Sequence, residues 1–199
     1  MKKYALGCAG ILVLLIGIVF IGGCASYNGL VSASQQTDSQ WAQVQNQFQR
    51  RADLIPNLVE TVKGAANFEK STLTDITQAR ASVGQVKVDP NKAPTDPAKL
   101  QEFQRAQDQL GSALSRLLVV SERYPELKAN ANFQGLQTEL AGTENRIAVE
   151  RMRFNTAVQE YNVKVKRFPT VLFASMLHFE PKPYFQATPG SEKPPQVKF

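Results

Sequence analysis

The sequence predicts an all-α fold, a bundle of four long helices of unequal length behind an N-terminal membrane anchor. Three observations carry this. Tyr4 to Gly23 is one unbroken uncharged stretch placed directly after Lys2 and Lys3. Beyond Cys24 the apolar residues recur in alternating steps of three and four, which puts them on one face of a helix. No segment keeps the strict alternation of a half-buried strand.

The apolar stretch is about as long as the roughly 20 residues a helix needs to cross the hydrocarbon core. Lysines on its N-terminal side predict that residues 1–3 stay in the cytoplasm and that the chain after it lies outside, periplasmic or on the cell surface. Two kinds of anchor fit residues 4–24. Ile21-Gly22-Gly23-Cys24 has the form of a lipobox, in which Cys24 is lipidated and becomes the new N-terminus. The same residues also serve as the end of an uncleaved span, with Cys24 a small residue at the interface. The chain has two cysteines, Cys8 and Cys24, both in the anchor, so the rest holds none for a disulfide.

The first helix after the anchor carries Leu30, Trp41, Val44, Phe48, Ile55, Leu58 and Val62 on a coiled-coil-like seam whose other slots hold Ser34, Thr37 and Arg51. Pro56 lies inside it and predicts a kink or local restart. A break at Gly64 to Asn67 precedes a shorter helix with Leu73, Ile76 and Val83, closed by Gly84. Residues 85–96, QVKVDPNKAPTD, read as an exposed loop ended by Asp96 as N-cap and Pro97 at the first helical position. The third helix shows Leu100, Phe103, Gln107, Leu110, Leu114 and Leu117 on one face and stops at Pro125. The fourth starts near Asn132, carries Phe133, Leu140, Ile147, Glu150, Phe154 and Tyr161 on its stripe, and ends at Phe168-Pro169. The apolar portion of the TVLFASMLHFEPKPYF segment that follows is too short to span and reads as a cap on the bundle end, with a position at the membrane interface as the alternative. These elements define a bundle over residues 25–180 and a Pro-rich flexible tail over 181–199.

Two groups of polar residues stand out. Arg51 and Glu150 occupy seam slots on the first and fourth helices, and a charge held in a bundle core must be paired, so they are expected to form a structural ion pair. Glu144, Asn145 and Arg146 flank Ile147 on the same helix. If the helices alternate in direction, the fourth ends beside the membrane. Lys164, Lys166, Arg167 and Phe168, with Phe173 and Phe179, then form a basic and aromatic collar facing the lipid headgroups.

Catalytic chemistry finds little support. The chain has one histidine, His178, read as a partly buried structural imidazole, and so cannot assemble the Glu-x-x-His pairs of di-metal bundles or a zinc ligand set. It lacks a G-x-S-x-G turn and a phosphate-cradling loop, and Glu139 and Glu144 lie at ordinary helix-surface density. No cofactor is expected. The net charge of +6 comes from 23 basic and 17 acidic residues mixed along the helices. Nucleic acid would require a clustered patch, so a lipid bilayer is the favoured partner of the basic excess.

Several stretches closely resemble the LemA family of bacterial envelope proteins: QFQRRADLIPNLVETVKG from Gln47 to Gly64, VVSERYPELKAN at 119–130, TENRIAVERMRFNTAVQEYN from Thr143 to Asn162, and FPTVLFASMLHF followed by KPYF. The pattern departs at Asn67-Phe68-Glu69, where many relatives carry a His before the Glu. The resemblance implies a membrane-anchored helical bundle on the outer side of the cytoplasmic membrane and supplies no biochemical activity. The resulting expectation is a non-enzymatic scaffold that engages another envelope protein. The alternative is an accessory or regulatory subunit of a membrane enzyme or protease.

Overall fold

The computed structural model describes residues 2–64 and 69–187, without the side chains of residues 2–12, 15, 16, 18 and 19. The described residues form six helices and no strand: α1 Lys2–Lys63, α2 Lys70–Gln85, α3 Pro97–Ser121, α4 Pro125–Lys128, α5 Ala131–Lys166 and α6 Thr170–Met176. Four are the long helices expected, and α4 and α6 are short additions at opposite ends. The anchor expected at residues 4–24 is helical backbone within α1, but most of its side chains lie outside the described residues. Among the described residues no helix is long and apolar enough to cross a membrane.

Helix α1 runs unbroken through Pro56. Proline lacks the N–H that would bond the carbonyl four residues back, so the Ala52 oxygen loses its helical donor. Arg80 Nε of α2 reaches that oxygen at 3.3 Å. The proline thus frees an acceptor that ties α2 to α1 where a kink or restart was expected.

The seam residues of α1 are buried as their period predicts: Leu30, Trp41, Val44, Ile55, Leu58 and Val62 are at most 2 % exposed. Thr37, in a seam slot, bonds its hydroxyl to the Ala33 carbonyl at 2.9 Å and so enters the core satisfied. Helix α5 packs antiparallel along α1, with Leu30 clustered with Val165, Trp41 against Phe154, and Ile55 clustered with Leu140. Helix α3 runs parallel to α1, Phe103 meeting Trp41 and Phe48 while Leu110 and Leu117 join Ile55 and Val62. Helix α2 returns beside α3, where Arg116 of α3 meets Asp75 at 3.0 Å. The directions are therefore up, down, up and down, which puts the end of α5 beside residues 23–30 of α1.

The caps follow local chemistry. Asp96 accepts from the Ala98 N–H at 2.8 Å with Pro97 at the first position of α3, as expected. Asn130 accepts from Asn132 and Phe133 to open α5. Helix α6 ends with Phe179 N bonded to the Ala174 carbonyl at 2.9 Å and His178 at φ 59°. Those are the marks of a left-handed helix terminus. His178 is exposed, so its expected partial burial is corrected: its backbone, more than its ring, is what the fold uses.

Two other expectations are amended. The 85–96 loop is largely exposed as expected, but it is also pinned to α1, because Trp41 Nε1 donates to the Asp89 carbonyl at 2.8 Å and the Ala93 N–H donates to Asp38 at 3.0 Å. The tail assigned to 181–199 begins too early. Lys182 and Phe185 are each 5 % exposed, and the 182–186 backbone is held against the bundle outside any helix or strand by the side chains of Gln104, Asn155 and Asn162. Residues 188–199 lie outside the described residues.

Candidate functional site

Arg51 is 3 % exposed and sits among three helices. Its guanidinium donates to Glu144 Oε1 of α5 at 2.8 Å and to the Gln107 carbonyl of α3 at 3.0 Å, and also to the Gln107 side-chain oxygen. Its plane lies 5.2 Å from the Phe48 ring centroid, while Nε has no partner. The expected pairing of Arg51 with Glu150 is therefore corrected: Glu150 instead accepts from Arg153 at 2.8 Å on its own helix. Register is the reason. Glu144 lies as far back along α5 from Phe154 as Arg51 lies forward along α1 from Trp41, and those two rings pack together at 5.6 Å. Glu150 falls six residues short of that level. Nearby, burial holds the Arg151 guanidinium pKa below its ordinary value, opposed by Asp108, reinforced by Arg51 and opposed again by Glu144.

The collar residues do come together. Lys164, Lys166, Arg167 and Phe168 are exposed at the end of α5. Lys164, Arg167 and Phe168 line, with Ala25, Ser26 and Gly29 of α1, a cleft of about 420 Å³. Phe168 is 76 % exposed, and α6 adds outward-facing Leu172 at 62 % and Met176 at 69 %. Inside, Ala174 packs with Leu30 and Val165, and the Phe173 ring lies 3.1 Å from where a Cβ on Gly23 would stand. A Cβ there would require the Phe173 ring to give by a few tenths of an ångström, so the glycine eases the close approach of α6 to α1. Cys24, the expected lipidation residue, is exposed on the same stretch of α1.

A third cluster was absent from the sequence-based expectations. Lys182 is buried with its ammonium 2.8 Å from Asp38 and 3.2 Å from the Ser34 hydroxyl, and it lies 5.1 Å from the Tyr161 ring centroid. Asp38 thereby joins α1, the 86–96 loop and the C-terminal segment. Phe185 stacks with Trp41 at 6.0 Å and meets Phe154 edge-on at 5.4 Å. Burial raises the Tyr161 phenol pKa, helped by Asp38 and Glu180, and its hydroxyl donates to the Glu180 carbonyl at 2.9 Å. The signal that could have found this cluster is Asn155 and Asn162, amides one heptad apart on the inner side of α5. Among the described residues no three His, Cys, Asp or Glu side chains converge as a metal ion would require.

The sequence model of the LemA family matches residues 40–199. The chain belongs to the LemA family. This LemA-family chain is also 27 % identical over 176 residues to Protein LemA of Metamycoplasma hominis, covering 88 % of this chain and 76 % of the relative. It is 26 % identical over 187 residues to Magnetosome protein MamQ 2 of Paramagnetospirillum magneticum, covering 84 % of this chain and 67 % of the relative. Magnetosome protein MamQ of Magnetospirillum gryphiswaldense matches at 26 % identity over 189 residues, covering 86 % and 70 %.

Proposed function

We propose that this chain is a non-enzymatic helical scaffold anchored in the bacterial cell membrane through residues 4–24, with its bundle on the outer side and engaged by another envelope protein. The observation that carries the reading is the base of the bundle. Lys164, Arg167 and Phe168 flank α1 just after its uncharged run ends, with exposed Lys166 beside them on α5, and Phe20 and Ile21, 71 % and 70 % exposed, continue the apolar surface below them. Exposed apolar and basic side chains at one level match the two halves of a bilayer interface. Each base near an anionic surface contributes about 1 kcal/mol, so the three together strengthen attachment by roughly 100-fold. Family membership supports the same reading, which extends to α6 as a short helix lying in the headgroup plane.

Photocrosslinking of the full chain in anionic proteoliposomes tests it. A benzophenone side chain at position 172 or 176 should label lipid, whereas one at Val119, which is 71 % exposed at the far end of α3, should not. Equal labelling at 119 and 172, or none at 172, would remove the collar.

A further inference from the structure

The segment from Glu180 to Gln186 is held in a way helical packing does not require. Three side-chain amides of the bundle each make both hydrogen bonds that a neighbouring strand would make to one residue. Asn162 donates to the Lys182 carbonyl at 2.9 Å and accepts its N–H at 2.8 Å. Asn155 does the same to Phe185 at 3.0 and 2.9 Å. Gln104 of α3 does so to Gln186 at 2.8 and 3.2 Å. Bonds of this kind recognise an extended main chain whatever its side chains, the physical basis of peptide capture by strand addition.

Two sockets add sequence preference. One takes a lysine, between Asp38, Ser34 and the Tyr161 ring. The other takes an aromatic ring between Trp41 and Phe154, with the Arg151 guanidinium 4.8 Å from the ring centroid. Between them Tyr184 is 43 % exposed and unselected. The groove therefore specifies Lys-x-x-aromatic in extended form. Only residues 177–181 join α6 to Lys182, so the segment can leave the groove without unwinding a long helix.

We infer that the groove between α1, α3 and α5 is a peptide-recognition site, filled in cis by residues 182–186, that accepts the same segment from a second copy of this chain. Exchange of identical end segments is a low-cost route to assembly, because every contact of the closed monomer is reused. Anchored copies confined to one plane would meet at raised effective concentration. The inference deepens the scaffold reading by naming an occupant, and it is tested in detergent micelles, so its failure leaves the bilayer contacts untouched.

The test uses two full-length variants. Lys182→Ala with Phe185→Ala empties the groove, and Asn155→Ala with Asn162→Ala disables the groove while leaving the segment intact. Mixing them should yield heterodimers by light scattering, whereas each alone stays monomeric. A synthetic peptide of residues 180–187 should bind the emptied variant and shift the emission of Trp41, the chain's one tryptophan. Its Phe185→Ala form should bind roughly 100-fold more weakly. The wild-type chain, already filled, should not respond. Absence of peptide binding by a variant that keeps its helical circular dichroism would overturn the site. Peptide binding without heterodimers would overturn the second copy as its source. If either variant fails to fold, hydrogen exchange on the wild type decides. The Lys182, Phe185 and Gln186 amides should exchange at least tenfold faster than the α5 core, through an opening that leaves α1 and α5 protected. Protection equal to that core would refute a detachable segment.

Discussion

Replacing Arg51 with alanine probes the junction of α1, α3 and α5, and its cost can be worked from the contacts. Glu144 keeps a side chain 43 % exposed, so once its partner is gone it re-solvates, and that loss is at most about 1 kcal/mol. Gln107 is different. It is 4 % exposed, and its side-chain oxygen loses a donor where little water reaches, which costs about 1–3 kcal/mol. The arginine stem beside Phe48 leaves a void worth about another 1 kcal/mol. The total is about 2–5 kcal/mol, a fall in Tm of roughly 4–20 °C for a chain of this size. Thermal circular dichroism of the full chain in detergent micelles reads it. Arg51→Met keeps the volume and loses the donor, and should fall between wild type and alanine. In double-mutant cycles Arg51 should couple to Glu144 by about 1 kcal/mol or less and to Glu150 not at all. A change below about 1 kcal/mol for Arg51→Ala, or coupling to Glu150, would refute the account.

Other outcomes follow from the same reasoning. Lys182 and Asp38, with side chains 4 % and 15 % exposed, should show strong coupling, and Lys182→Ala should cost about 3–5 kcal/mol. Arg50 and Glu139, at 54 % and 40 %, should couple by less than about 1 kcal/mol, and a reversed order in denaturation-derived cycles would contradict the burial argument. Tyr161 has a folded-state pKa above the usual 10.0, so its contribution to stability is complete below that value and is lost as pH climbs through the raised pKa. Ultraviolet titration should show a late phenolate that Tyr161→Phe abolishes, and titration of all tyrosines together would contradict it. If Cys24 is lipidated, the intact mass of membrane-extracted protein should lack residues 1–23 and carry acyl chains, and Cys24→Ala should restore the full length. A Met1 start in both forms would leave the uncleaved span.

Much of the fold was legible because burial in a bundle follows a local period. Trp41, Val44, Phe48, Ile55, Leu58 and Val62 announce their face through spacing alone, and Asp96-Pro97 announces a helix start through capping chemistry. The partner of Arg51 was not legible in the same way. Glu144 and Glu150 both lie near the inner side of α5, and choosing between them needs the vertical offset of two helices, a quantity set by how Trp41 and Phe154 interlock. The C-terminal segment was misjudged for a related reason. Prolines and charges in EPKPYF look like solvent-facing tail, and only the groove supplies Asp38 for the lysine and amides for the main chain. Pro56 was recognised as a perturbation, but its use, freeing the Ala52 carbonyl for Arg80, depends on where α2 comes to rest.

Helix α1 is one uninterrupted rod, and its length has a mechanical meaning. Residues 24–63 rise about 60 Å at 1.5 Å per residue. On the proposed anchoring no flexible linker separates the lipid-level end from the far tip, so the tip stands at a set height and inherits every rotation of the base. A change of about 10° in tilt, within the ordinary range for helices in bilayers, sweeps the tip sideways by about 10 Å. Anything bound near Val59, Leu73 or Val119 would therefore be displaced by events in the lipid, with the bundle acting as a pointer.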